Sequence, residues 1–174
     1  MDEQVIILNY TKIRDNSIVV HTLSRTYGRK SFLVRTGAKA KMAFYLPLNI
    51  LELSVTENPK SDLWYASPVA AKYPLLGIRN NVFKNAISLF MAEVIYRTVK
   101  DGAAEDGLYE WCEHQILTLD ALQSDFSNFH IYFLLEFCKG RKSLTHNTVV
   151  SQGINVPGSL FQSVLYFFFR HNIT

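Results

Sequence analysis

Up to residue 70 the apolar positions recur at the period of a pleated strand, and after Pro74 they recur at the period of a helix. Val5, Ile6, Ile7 and Leu8 follow one another within residues 4–10, the pattern of a strand buried on both faces. Residues 17–25 alternate, with Ile18, Val20 and Thr22 on one face and Val19, His21, Leu23 and Arg25 on the other. Thr26-Tyr27-Gly28-Arg29 reads as a turn in which Gly28 takes positive φ. Residues 30–36 return as a third strand, Phe32 and Val34 facing one way and Ser31, Leu33 and Arg35 the other. A short basic loop leads to a fourth strand over 46–55, whose apolar phase slips between Ile50 and Leu51. Such a slip predicts a bulge or a sharp bend. After a turn containing Asn58-Pro59, residues 63–70 form a fifth strand. Five short, bent strands joined mostly by hairpins predict a small closed barrel of the oligonucleotide-binding (OB) type, with an SH3-like barrel as the rival on strand count.

The helical part begins with residues 81–100, where positions 82, 83, 86, 87, 90 and 94 form an apolar stripe and Leu89, Met91, Ile95 and Val99 widen it. So apolar a helix should be packed on several sides, with Asn80 or Asn81 as its cap. Residues 106–122 predict a second helix with Leu108, Trp111, Cys112, Gln115, Leu119 and Leu122 on one stripe. Ser124 or Ser127 can cap a third, nearly all apolar from Phe129 to Phe137. The pattern breaks at Cys138-Lys139-Gly140-Arg141-Lys142, and no acidic residue follows. The expected fold is α+β: an OB barrel over residues 1–74, then an α-helical domain over 75–174, its C-terminus truncated or altered after residue 137.

Charge changes this picture more than composition does. Of 174 residues, 48% are hydrophobic and 13% aromatic, enough for a core. The net charge of +3 conceals a bipolar chain. Residues 12–41 hold eight Lys or Arg against one acid, Asp15, whereas residues 75–137 hold four bases against nine acids. A basic sheet points to a polyanionic partner. Arg14, Arg25, Arg29, Lys30, Arg35, Lys39 and Lys41 are its candidate phosphate contacts, and Tyr10, Tyr27, Phe44 and Tyr45 interleave as faces on which bases stack. The aromatic excess of the helices suggests in addition a groove for a partner peptide around Trp111, with Arg79, Lys84, Arg97 and Lys100 as candidates to meet its carboxylate.

Catalytic patterns are missing. His21, His114, His130, His146 and His171 are scattered without metal spacing, and Gly28 and Gly37 stand alone in turns. Glu105-Asp106 suits a helix start, and Cys112 and Cys138 lie in apolar patterns that predict buried thiols and a reducing cytoplasm. The acidic, polar start Met1-Asp2-Glu3-Gln4 is unlike a signal peptide, and no apolar run is long enough for a membrane span. No cofactor and no metal are expected.

Tyr10, Asn16-Ser17-Ile18-Val19-Val20, Thr22-Leu23-Ser24 and Gly28, then Lys30-Ser31-Phe32-Leu33-Val34 and Gly37-Ala38-Lys39, resemble the RecO family of bacterial recombination mediators, in its Bacteroidetes style. Met91-Ala92-Glu93-Val94-Ile95-Tyr96 and Gly107-Leu108-Tyr109-Glu110-Trp111 resemble the same family's second domain. The resemblance implies an OB barrel joined to a helical domain, in a cytoplasmic, nucleoid-associated protein of DNA repair and recombination. It also implies binding of single- and double-stranded DNA, strand annealing, and help in loading the recombinase onto strands coated with single-strand-binding protein. The partners it implies are RecR and the C-terminal tail of the single-strand-binding protein. The four-cysteine zinc motif of many members cannot be built from two cysteines. Two other readings stand beside this one: a protein-interaction adaptor whose helical groove takes an acidic-hydrophobic peptide, and an RNA-binding OB protein.

Overall fold

The computed structural model describes residues 1–36, 42–102 and 104–146, with side chains up to residue 140. Five strands form a closed barrel: β1 (Asp2–Arg14), β2 (Ser17–Ser24), β3 (Gly28–Arg35), β4 (Ile50–Thr56) and β5 (Trp64–Ala71). They close in the order β1-β2-β3-β5-β4, antiparallel except for the β3–β5 pair, where Phe32, Leu33 and Val34 align with Trp64, Tyr65 and Ala66. That is the expected OB-type barrel followed by helices.

The four consecutive apolar residues of β1 are explained by the register. Val5 and Ile7 point into the barrel with Val20, Phe32, Leu51 and Leu53. Ile6 points outward on one rung with Leu23 of β2 and Ile50 of β4, and all three are buried. This outer rung is covered because α2 (Val82–Thr98) packs against β1 and β2. Ile50 and Leu51 are therefore both buried, one on each face.

The bulge expected in the fourth strand lies elsewhere. Leu48 precedes the strand, in a turn with φ of 62°, and its N–H donates to the Ile7 carbonyl at 2.7 Å. A 3-10 turn, Met42–Tyr45, stands before it, so β4 begins only at Ile50. The irregularities fall on β1, between Ile7 and Asn9 and between Lys12 and Arg14, and on the β4–β5 pairing between Glu52 and Leu53. Bulges on the long strand β1 let it bend around the barrel and pair with both β2 and β4.

A short helix, α1 (Leu76–Arg79), precedes α2; α3 (Leu108–Ala121) and α4 (Phe129–His146) follow. Asn81 caps α2, its side-chain oxygen accepting from the N–H groups of Phe83 and Lys84. The packing of α2 on several sides begins only after its first turn. Val82 and Phe83 are 83% and 74% exposed, and burial starts with Lys84 and Ile87. Trp111 of α3 meets Phe133 and Phe137 of α4 at 5.4 and 5.8 Å between ring centroids, whereas Ile131, Tyr132 and Leu135 face outward. The expected break at Gly140 does not occur, since α4 runs through it to His146. Cys112 is buried as anticipated; Cys138 is exposed, and no disulfide joins them. Compactness divides the chain into Met1–Phe137, which holds the barrel together with its helices, and Cys138–Thr174.

The approach of α1 to α3 depends on Gly77. A Cβ at that position would stand 2.0 Å from the carbonyl oxygen of Asp120, and the next residue's N–H donates to the Asp120 carboxylate at 2.8 Å. Gly77→Ala is expected to push the two helices apart and lose about 1–3 kcal/mol in urea unfolding, the cost of an overpacked contact. An unchanged midpoint would show that the contact yields freely.

Candidate nucleic-acid interface

The hairpin of β1 and β2 and its pairing with β3 place Arg14, Ser17 and Arg35 on one rung across three strands. Neighbours on such a rung lie about 5 Å apart, on one face of the sheet. The irregularity between Lys12 and Arg14 sets this alignment, because it moves Arg14, rather than Ile13, opposite Ser17. Both arginines are exposed. The next rung on the same face is Thr11, Val19, Leu33 and Tyr65, and the tyrosine is 42% exposed. Two guanidinium groups therefore stand beside a partly apolar strip that ends in an accessible aromatic ring. Phosphates and unstacked bases call for that combination. Lys12 lies nearby, 3.5 Å from Asp15 in an exposed pair that solvent largely screens.

Farther along the same face the basic residues are engaged inside the molecule. Arg29 is half-buried: one guanidinium nitrogen donates to the Tyr96 carbonyl at 2.8 Å and another lies 2.7 Å from Asp101, while the group stacks over the Tyr96 ring at 4.9 Å. Arg25 pairs with Glu110 at 2.9 Å, donates to Gln4 at 3.2 Å and lies over Tyr109. Lys72 pairs with Glu113 at 2.7 Å, and this bond raises its pKa. Part of the bipolar charge is thus an internal seam, in which acids of the helices meet bases of the barrel. Between the open and the engaged ends sits His21, with its Nδ1 2.8 Å from the Ser31 hydroxyl and its ring 5.2 Å from that of Tyr96. Burial, and secondarily Arg29, lower its pKa.

The mouth of the barrel holds a different arrangement. The ammonium of Lys30 lies 3.4 Å from the centre of the Trp64 ring and 5.0 Å from that of Tyr27. The two rings meet edge to face at 5.2 Å. The turn that carries Tyr27 is held by Glu3, a buried carboxylate that accepts from the Ser24 hydroxyl at 2.6 Å and from the Thr26 N–H at 2.9 Å. Gly28 completes that turn at φ of 66°. Lys39 and Lys41 lie outside the described residues.

Of the aromatic candidates, Tyr10 is exposed and Tyr27 half-buried, but Tyr45 belongs to the core and Phe44 packs against it. Burial raises the Tyr45 pKa. The rings beside the basic residues include Tyr65, which is exposed, and Trp64, which is partly buried against the core, and neither stands out in the sequence. They reach β3 only because the barrel closes through the parallel β3–β5 pair.

The residues singled out for a peptide groove are not gathered into one. Lys84 is buried, its ammonium donating to the carbonyls of Asp120 and Leu122 at the end of α3. Arg79 donates to the Pro47 carbonyl at 2.7 Å and to Asn49 at 2.6 Å, and burial lowers its pKa. Arg97 pairs with Glu93 one turn earlier, Lys100 is exposed, and Trp111 is half-buried against α4. Among the described residues, no group of three or more His, Cys, Asp or Glu could hold a metal ion, and no helix is long and apolar enough to cross a membrane.

Residues 1–69 match the family model described as "Recombination protein O N terminal". A DNA repair protein RecO of Phocaeicola vulgatus is 32% identical over 138 residues, which cover 77% of this chain and 57% of that protein. One of Bacteroides fragilis matches to the same extent, and one of Flavobacterium johnsoniae is 28% identical over 141 residues, 78% of this chain and 59% of its own length. The chain thus spans less than two thirds of the length of these curated relatives.

Proposed function

Because the chain belongs to the RecO family in its barrel and adjoining helices, we propose that it is a DNA-binding mediator of recombinational repair that acts without catalysis. In this reading the barrel binds single- and double-stranded DNA and brings complementary strands together. The protein then assists recombinase loading on strands coated with single-strand-binding protein, with RecR and the tail of that protein as its partners. The observation that carries the DNA-binding step is the open rung of Arg14, Ser17 and Arg35 beside the exposed Tyr65. Cations there neutralise phosphates, and the aromatic strip accepts bases. Arg25 and Arg29 serve the barrel–helix seam instead, because their guanidinium groups are already paired.

The test is fluorescence anisotropy of a labelled single-stranded oligonucleotide. Binding is expected at micromolar protein or below in low salt. Replacing Arg14, Lys30 and Arg35 together by Ala should weaken binding tenfold or more for every sequence alike and lower the salt slope by about two, since phosphate contacts position without specifying. A loss confined to one sequence would contradict the phosphate assignment, and no binding by the unaltered protein would remove the proposal.

A further inference from the structure

Resting on the DNA-binding reading, we propose that the cleft at the barrel mouth is a stacking site for one unpaired DNA base, with Trp64 as its floor and the Lys30 ammonium as its removable cover. The cleft has a volume of about 620 Å3, and Tyr27, Arg29, Lys30, Asp62 and Asp101 are among the residues that line it. That volume lies in the range of sites that enclose small ligands.

Trp64 itself is hidden from the cleft. One side of the indole packs against the barrel core, and the ammonium of Lys30 lies over the ring at 3.4 Å. Tyr27 meets the indole edge-on and walls the site laterally. Lys30 is the one long, flexible part of this arrangement, on a turn and strand that Glu3 and the β2–β3 pairing hold rigid. When a strand arrives, its phosphate offers the ammonium a charge-assisted partner, and the vacated ring face is open to a base. Pairing of the ammonium with a phosphate and stacking of a base on the freed ring together replace a single cation–π contact, so the exchange runs toward the bound state.

The acids of the cleft point to the same occupant. Asp101 is held by Arg29 at 2.7 Å, and Asp62 stands exposed at the rim. Carboxylates there repel a phosphate but accept from the amino and imino groups of an uncharged base. Phosphate is thereby kept at the rim with Lys30, and the base is directed inward. Duplex DNA, whose bases are already stacked and paired, has nothing to place in this site.

The experiment compares three probes of one length: oligothymidylate, an abasic deoxyribose-phosphate chain, and a duplex. Trp64→Leu, which keeps an apolar side chain against the core, should weaken oligothymidylate binding about tenfold and leave the abasic chain and the duplex within twofold. Trp64→Phe should restore most of the loss. Oligothymidylate should quench the indole emission of the unaltered protein, and the quenching should be missing from both variants. Equal losses on all three probes, or no loss on oligothymidylate, would overturn the stacking site while leaving DNA binding intact. If the unaltered protein bound none of the probes, the DNA-binding reading would fall and the stacking site with it.

Discussion

A fourfold rise in salt, from about 50 to 200 mM, is expected to weaken binding of a single-stranded oligonucleotide by roughly 300-fold. The figure follows from about six phosphate contacts, each releasing condensed counterions, which give a slope near −4 in log K against log salt for a single strand. Lys12, Arg14, Lys30 and Arg35 on the barrel, with Lys39 and Lys41 a few residues further along the chain, make up that number. Arg25 and Arg29 are left out because Glu110 and Asp101 neutralise them within the molecule. Counting them would steepen the slope to more than −5, so the measured slope also reports whether the seam opens when DNA binds. Anisotropy titrations at four or five salt concentrations suffice. An affinity that stays flat with salt would show that phosphates do not carry the interaction.

Replacing the buried Lys84 by Met should destabilise the fold by about 3 kcal/mol, or roughly 10 °C in melting temperature. The last carbonyls of a helix have no partner within it, and here those of Asp120 and Leu122 accept from the Lys84 ammonium, which also lies 5.3 Å from the centre of the Phe126 ring. A cation at a helix C-terminus is favoured by the helix dipole as well. Met matches the length and volume of the side chain but has no donor, so the carbonyls would remain buried and unsatisfied. The desolvation of the ammonium, which the substitution relieves, works in the opposite direction. A thermal melt that did not move would mean that the two effects cancel and that Lys84 is tolerated rather than needed. DNA binding at a temperature where the variant is folded should be unaffected, because Lys84 lies at the α2–α3 contact and not on the barrel face.

The strands of the barrel were legible because their signal is local. Ile18, Val20, Phe32 and Val34 alternate with polar neighbours, and Gly28 marks the turn between them. The helices α2 and α3 were legible from their stripes and from the cap at Asn81. Less legible was the meaning of the phase slip near Ile50, since a buried residue on either face of a strand looks the same in one dimension. The first turn of α2 shows the converse error, for Val82 and Phe83 continue an apolar stripe and yet face outward.

The candidate site divides in the same way. That the barrel half is basic, and that Arg14, Lys30 and Arg35 lie in it, follows from composition and strand assignment alone. Which bases remain available depends on long-range contacts, because Glu110 and Asp101 reach Arg25 and Arg29 only when the helices fold back on the barrel. Lys84 could not be distinguished from a surface lysine until α3 ended against it.

The sequence by itself determined the two architectures, their order, the placement of positive charge and the family, all properties that neighbouring residues carry. Only the tertiary structure decided that Trp64 and Tyr65 stand beside β3, that Arg14 and Arg35 share a rung, and that Arg25 and Arg29 belong to a seam. The physical reason is that barrel closure and helix docking join residues far apart in the chain. Periodicity records which face of an element is apolar, but not which distant element will cover it.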